Sequence, residues 1–486
     1  MARKKTTWLL LLLMMVLILP VILMIGPDFL SVRPPVFDPF DPPDVTPAAV
    51  PADWLSIDAD LHPVAIEPIN LAKIPVRQIS LPAAQSAALL LPTQDGGCLS
   101  VSPVPTDNGN TVFHLRVIRY QPDGSRQWDR QYDASPFQGY PVSLCIFSDN
   151  SFAVGLRLMT NSVPNGSFTD QLWRFSPEGD NIWQIKDGSI PPGSLDYLFA
   201  RTDGAVVAAG TETQNQAESS AVSVIRVLSF DENGRQSKSV PATTLTVNQI
   251  LVHAFYTPEA GLVLIWSHDD SHGTSYLPVY QVTFFNDHLD RKWTVEMDAD
   301  VSLSEGQLLP GSGKVLITGF IAAPDDGGAA AGAAHAVLIC IDSQGAVAWT
   351  YAEKETTPAW LSKAAELAGG RLVAGRYKTG SEGAETTDLL LLSENGQYLQ
   401  TIAVYPGLIQ QMIPTQDGGF TGVLRQSIRT LPQPPFVSSI WIDSEAIIVH
   451  FDSNLQLVWQ RTIDQYKQDI RSDRIIATKD DRLLVG

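Results

Sequence analysis

Cysteine is nearly absent from this chain: Cys98, Cys145 and Cys340 are the three in 486 residues. Each sits inside an apolar run, which reads as three buried free thiols, with a Cys98–Cys145 bridge as the sharper alternative. So little cysteine excludes a disulfide-built fold, and a chain of this length has core enough without staples. Positive charge is also scarce. Lys and Arg total 33 against 52 Asp and Glu, for a formal charge of −19, which argues against nucleic acid and anionic lipid surfaces as partners. Catalytic patterns are missing too: there is no Gly-x-Ser-x-Gly elbow, no His-Glu-x-x-His, no Cys-x-x-Cys and no dinucleotide fingerprint.

One long apolar run stands out, from Trp8 to Ile25, preceded by Arg3, Lys4 and Lys5. Eighteen residues is the short end of what spans ~30 Å of hydrocarbon. The basic flank puts residues 1–7 in the cytoplasm and the remainder outside, with 8–25 as a single-pass anchor. A cleavable leader is the competing reading, but no small-x-small site follows Ile25. Residues 26–52 are punctuated by eight prolines, Pro27 to Pro51, and read as a stiff, extended linker. Without Arg3, Lys4 and Lys5 the exported part carries a charge of about −22.

What fills residues 53–486 is repetition. Pro92-Thr93-Gln94-Asp95-Gly96-Gly97 returns as Pro414-Thr415-Gln416-Asp417-Gly418-Gly419, and weaker copies lie between. A second anchor is a turn leading to tryptophan four residues on: Pro122-Asp123-Gly124 to Trp128, Pro177-Glu178-Gly179 to Trp183, and Ser343-Gln344-Gly345 to Trp349. Leucine stands for the glycine in the turns at Leu289, before Trp293, and Leu455, before Trp459. Two units keep the turn and lose the ring, Gly234 leading to Lys238 and Gly396 to Gln400. The period is roughly 55 residues.

Each unit reads as four strands rich in Val, Ile, Leu and Phe, bounded by Gly, Asp, Asn and Pro. The last complete unit places strands at 408–413, 420–424, 447–451 and 457–462. The fold class is therefore all-β: a β-propeller of four-stranded blades. After the seventh unit, 473–486 supplies the first half of another blade, and 54–66, with the turn Asp58-Ala59-Asp60-Leu61, supplies a matching second half. Eight blades, the last closed by both termini, is the expectation, with seven blades and a frayed end as the alternative.

The repeated tryptophans Trp128, Trp183, Trp293, Trp349 and Trp459 read as packing between adjacent sheets, which leaves Lys238 and Gln400 in softer places. First-to-second and third-to-fourth connections are short and alike. Second-to-third connections are long and unlike, at 102–111, 159–170, 211–220, 267–278, 321–334, 378–388 and 426–446. Long variable loops on a rigid scaffold are where function is placed, so that end is the candidate binding face for a protein or cell-wall partner. Two groups there are candidate sites. Trp266, Trp360 and Trp441 fall at or near long connections, where rings could stack on a ligand, burial between blades being the plainer reading. His268, Asp269, Asp270 and His272 have donor types suited to a divalent metal, against the plainer reading of a solvated loop.

The segment Ala336 to Trp349, like Trp173 to Trp183 and Val112 to Trp128, resembles the PQQ-like, quinoprotein-type propeller repeat. The resemblance implies an eight-bladed ring with one blade closed by the termini. It leaves a range of roles, from quinone-dependent dehydrogenases to non-catalytic scaffolds of the bacterial envelope. The enzymes of that superfamily carry a vicinal cysteine pair or dedicated calcium and quinone ligands. This chain has no adjacent cysteines and no obvious equivalent, so no cofactor is expected. The expected role is that of a non-catalytic scaffold, with a quinoprotein-type oxidoreductase or a glycan-active enzyme at the channel mouth as the alternative.

Overall fold

The structure, a computed structural model, describes residues 89–485 less 105–112, 136–138, 161–166, 187, 215–221, 244–247, 258–260, 270–277, 299, 310–312, 322–334, 354–358, 380–384, 416, 431–441, 467–474 and 478–482. Residues 8–25 and 26–52, expected to be an anchor and a linker, lie outside the described residues. No helix among the described residues is long and apolar enough to cross a membrane.

Seven four-stranded antiparallel sheets follow one another along the chain, each in simple strand order. Blade 1 covers residues 89–135, blade 2 139–185, blade 3 197–241, blade 4 249–296, blade 5 301–352, blade 6 359–406 and blade 7 408–466. An eighth, two-stranded sheet pairs Ile475–Ala477 with Leu483–Val485, and its first strand adjoins Leu89–Pro92 of blade 1. First strands of neighbouring blades also adjoin, for instance Leu89–Pro92 with Gly139–Ile146 and Val301–Leu308 with Ala359–Glu366. This is a β-propeller. The outer half of an eighth blade, read at 54–66, lies outside the described residues.

Burial follows from position in the blade. Middle strands are covered on both faces and read as continuous apolar runs: Gly261–His268 is buried in all but its last residue. Outer strands alternate, as in Arg291–Glu296, whose exposed and half-buried residues take turns. The core is split among the seams between blades. Leu99, Val101, Phe152, Trp173 and Phe175 meet between blades 1 and 2. Val207, Ile225, Leu262 and Trp266 meet between blades 3 and 4, and Leu389, Ile409, Phe420 and Leu455 between blades 6 and 7. Cys98 joins Leu90, Ile118 and Tyr120 in a group separate from that first seam. Cys145 packs between blades 2 and 3, and Cys340 between blades 5 and 6. The three thiols are free, so the Cys98–Cys145 bridge is not formed: the two belong to different packing groups. Burial raises the Cys98 and Cys145 thiols to about 12 and the Cys340 thiol to about 11.

The third-to-fourth turns repeat almost bond for bond. In blade 1, Gln121 N–H donates to Ser125 O and Gly124 N–H to Gln121 O; the same pair recurs at Ser176, Asp231, Asn286, Asp342, Ser393 and Asp452. In each, the fourth residue has positive φ, and a bulge follows in the ladder. This is the three-residue hairpin with a left-handed closing position, which glycine fills most cheaply.

The repeated tryptophan meets the next blade's turn. Indole N–H groups of Trp128, Trp183 and Trp293 donate to the carbonyls of Pro177, Glu232 and Ser343, at 3.2, 2.8 and 3.1 Å. The rings lie against the turn glycines. A Cβ on Gly179, Gly234 or Gly345 would stand 3.1, 2.8 or 2.7 Å from Trp128, Trp183 or Trp293, and one on Gly396 would be 2.2 Å from Trp349. Lys238 and Gln400 were expected to leave soft places. Instead the facing turns carry leucine: Leu289 is 1 % exposed and Leu455 9 %.

Candidate functional site

All the second-to-third connections leave one end of the ring, and so do the connections between blades. Strands run further into that end than the sequence suggested. Phe420–Thr430 and Ile442–Phe451 extend into the region read as a loop over 426–446. Ser167–Phe175 and Glu385–Leu392 likewise begin before Asp170 and Asp388, which were read as loop termini. The alternation that would have marked these extensions is broken by polar residues that are themselves buried.

Those polar residues build two ion networks. In blade 2, Arg157 faces Asp170 across the ladder and grips it with two bonds of 3.0 and 3.1 Å. Nη2, one of the two nitrogens that hold Asp170, also donates to Asp196, 2.9 Å away, just before the first strand of blade 3. The Asp170 side chain is 0 % exposed and accepts a further bond from Gly193 N–H, and Asp196 accepts one from Thr211 N–H. In blade 6, Arg376 faces Asp388 in the same way and also pairs with Glu353, just after the last strand of blade 5. Lys378 adds a 3.0 Å contact to Asp388, and Tyr351 donates its hydroxyl to Glu353. Burial works against each arginine's charge, but the carboxylates outweigh it and hold both guanidinium groups above their ordinary pKa. Such pairs cost desolvation and repay it only when fully bonded, as here. They tie blade 2 to blade 3 and blade 5 to blade 6, and so stiffen the end that carries the long connections.

Around the axis, the first strands of blades 2, 4, 5, 6 and 7 share a bulge at one level. The register shifts between Pro141 and Ser143, Leu251 and His253, Leu303 and Glu305, Leu361 and Lys363, and Ile409 and Gln411. Bulges re-aim side chains and mark functional rims. Here they bring together polar groups from successive blades. Ser143 donates to Leu195 O at 2.5 Å, Lys363 pairs with Glu305, and His253 lies edge-on to Tyr197 with ring centres 5.9 Å apart. Burial lowers the pKa of His253; Glu305 opposes that shift and Lys363 adds to it. None of these residues was singled out from the sequence. Their common signal, one polar residue at a fixed place in five of the seven first strands, is hidden because the bulge breaks the alternation.

The residues that were singled out are scattered. Trp266 is 0 % exposed within Gly261–His268, and its indole N–H donates to Thr283 Oγ1 at 3.0 Å. It fills the seam between blades 3 and 4 and presents no open ring face. Trp360 is half-buried in Ala359–Glu366, its ring 4.2 Å from that of Tyr377. Trp441 lies outside the described residues. His268 ends its strand, contacts Gln281 Nε2 at 3.3 Å and bonds Asp269 O at 3.0 Å; Asp269 is exposed, and Asp270 and His272 lie outside the described residues. Among the described residues no three His, Cys, Asp or Glu side chains are grouped to hold an ion. A groove of about 490 Å³ at the rim of blades 2 and 3 is lined by Gln184, Ile185, Lys186, Phe230 and Gln236. The Lys186 amine lies 4.3 Å from the Trp173 ring centre, and burial lowers its pKa.

No protein-family model matches this chain, and no curated protein matches it. Solved structures similar in fold include the β-propeller domain of the trilobed protease from Pyrococcus furiosus, at 10 % identity and TM-score 0.40 over 80 % of this chain and 99 % of that one. Another is Pyrococcus horikoshii acylaminoacyl peptidase, at 13 % and 0.41 over 79 % of this chain and 53 % of that one. A third is the WD40 domain of SCAP from fission yeast, at 9 % and 0.40 over 80 % and 90 %. Likeness at this level carries nothing about chemistry, and the propeller is read from the sheets themselves.

Proposed function

We propose that this chain is a membrane-anchored, extracytoplasmic propeller acting as a non-catalytic platform that binds a protein or cell-wall partner through its long-connection end. One observation carries the reading: the two ends of the ring are built by opposite rules. At one end, seven hairpins repeat the same pair of backbone bonds. At the other, connections differ in every blade while the strands feeding them are stiffened by the Arg157 and Arg376 networks. Variable loops on a rigid base are the arrangement of a recognition face. The PQQ-like kinship rests on the turn with tryptophan four residues later, and anchoring rests on the apolar run from Trp8 to Ile25 with its basic flank.

The eighth blade belongs to the same proposal. Residues 54–66 complete the sheet begun by Ile475–Ala477 and Leu483–Val485. Deleting 54–66 should lower the unfolding midpoint of the full chain; an unchanged midpoint would remove that segment from the ring.

The partner is tested by capture from native membranes, using the full chain and a version with 322–333 and 431–440 replaced by glycine-serine linkers. The platform reading expects one partner, retained by the intact chain and lost by the trimmed one. Equal retention by both, or a quinone or metal carried by the purified protein with no partner at all, would refute it.

A further inference from the structure

The six described seams follow a size rule that no single blade reveals. Where the outer strand presents tryptophan, at 128, 183, 293 and 349, the next blade's turn carries glycine with φ of +84, +79, +87 and +74. Where the outer strand presents Lys238 or Gln400, the next turn carries Leu289 or Leu455, at φ +58 and +63. Among the described residues these leucines are two of three non-glycine positions with positive φ, the third being Asn150. Leucine in the left-handed region is strained, and the turn itself gains nothing from it. Its side chain explains its presence. Leu289 is buried with Val227, Ala242 and Val240 of blade 3, and Leu455 with Ile402, Ala403 and Tyr405 of blade 6. Each leucine fills from the second blade the space that an indole fills from the first. The vacated rim then takes polar contacts: Lys238 donates to His288 O and to Asp290 Oδ1, both at 2.7 Å.

We propose that each outer-strand residue and the turn residue it faces form one specificity unit that determines which blade edge can dock on which turn. At the six described seams two lock types occur, ring on glycine and non-ring on leucine. The matched locks fill the seam once. A tryptophan edge against a leucine turn places two side chains in one space, because the turn glycines already touch the ring closely. A lysine or glutamine edge against glycine leaves a void. Both mismatches are unfavourable, which discriminates among blades of nearly equal shape by penalising the wrong neighbour. Chains of similar repeats need such discrimination, because misassembly between repeats is their common failure.

The test is a double-mutant cycle at the blade 3–blade 4 seam of the full chain: Lys238→Trp, Leu289→Gly and both together, followed by urea unfolding. Each single substitution should lower the midpoint, and the double should regain at least half of the summed loss. If a single fails to fold, a double that folds supports the rule equally. A double that loses as much as the singles combined, or that fails to fold alongside them, overturns it. The same cycle with Gln400→Trp and Leu455→Gly repeats the measurement at an independent seam.

Discussion

Trp293 of blade 4 lies with its indole against Gly345 of blade 5, and its N–H reaches the Ser343 carbonyl at 3.1 Å. A Cβ at position 345 would stand 2.7 Å from the ring, in a backbone conformation with φ +87 that disfavours any side chain. Gly345→Ala should therefore cost about 2–3 kcal/mol, by strain and overpacking together. Trp293→Ala should cost about as much by truncation of a half-buried ring. Chemical unfolding of each variant checks both figures; a loss near zero for Gly345→Ala would mean the ring does not rest there.

The N–H contribution separates from the ring's. Trp183→Phe keeps an aromatic face on Gly234 but removes the 2.8 Å bond to the Glu232 carbonyl. The expected loss is about 1 kcal/mol, the net worth of a typical hydrogen bond. Unfolding in urea measures it, and a loss as large as that of Trp183→Ala would assign the whole effect to the bond.

Removing Arg376 strands two carboxylates. Asp388 and Glu353 side chains are each 9 % exposed, and Lys378 and Tyr351 cannot replace a guanidinium that serves both. Arg376→Met keeps the aliphatic stem and should cost about 3 kcal/mol, while Arg376→Lys should recover part of it. Urea unfolding of the two variants side by side gives the comparison.

Acid should act on the repeated Thr-Gln-Asp-Gly-Gly phrase. Burial works against the charge of Asp95 and Asp417, but hydrogen bonds from Thr93 and Arg119 to Asp95, and from Thr415 and the Gly419 N–H to Asp417, hold both carboxyls below the ordinary value of 3.8. His450 adds its charge to Asp417. A depressed folded pKa means stability that is fully present above the ordinary value and lost as pH falls through the lowered one. Wild type should thus lose stability below about pH 4 more steeply than Asp417→Asn. Unfolding midpoints from pH 6 to pH 2 would show the two curves converging; parallel curves would mean the carboxylate is not held in this way.

The thiols should be silent. Cys98, Cys145 and Cys340 are buried, with pKa values raised to about 12, 12 and 11. A thiol reagent at pH 8 should label none of the three in the native protein and all three in urea.

Much of the fold was legible because the turns demand particular residues. Gly124, Gly179, Gly234, Gly345 and Gly396 sit at positive φ, and that requirement shows through the sequence as a period. The last sheet was harder to bound for a physical reason: Ile475–Ala477 and Leu483–Val485 give only three residues each, too few for alternation to show. The polar interior was illegible. Asp170 looks like a loop residue, and nothing near it in sequence announces Arg157, thirteen residues earlier, or Asp196 in the next blade. Trp266 follows the plainer of its two readings, burial between blades. It stands two residues from the acidic loop, yet its strand runs on to His268, so the ring points into a seam.

The central claim, that the long-connection end is the working face, is tested most directly by photo-cross-linking in native membranes. A photoreactive residue would replace Asn165 or Phe436 at that end, and Gln344 or Asn395 at the regular-turn end, in the full chain. The account predicts one discrete adduct from 165 or 436 and none from 344 or 395. An adduct from the regular-turn end, with none from the long connections, would contradict it.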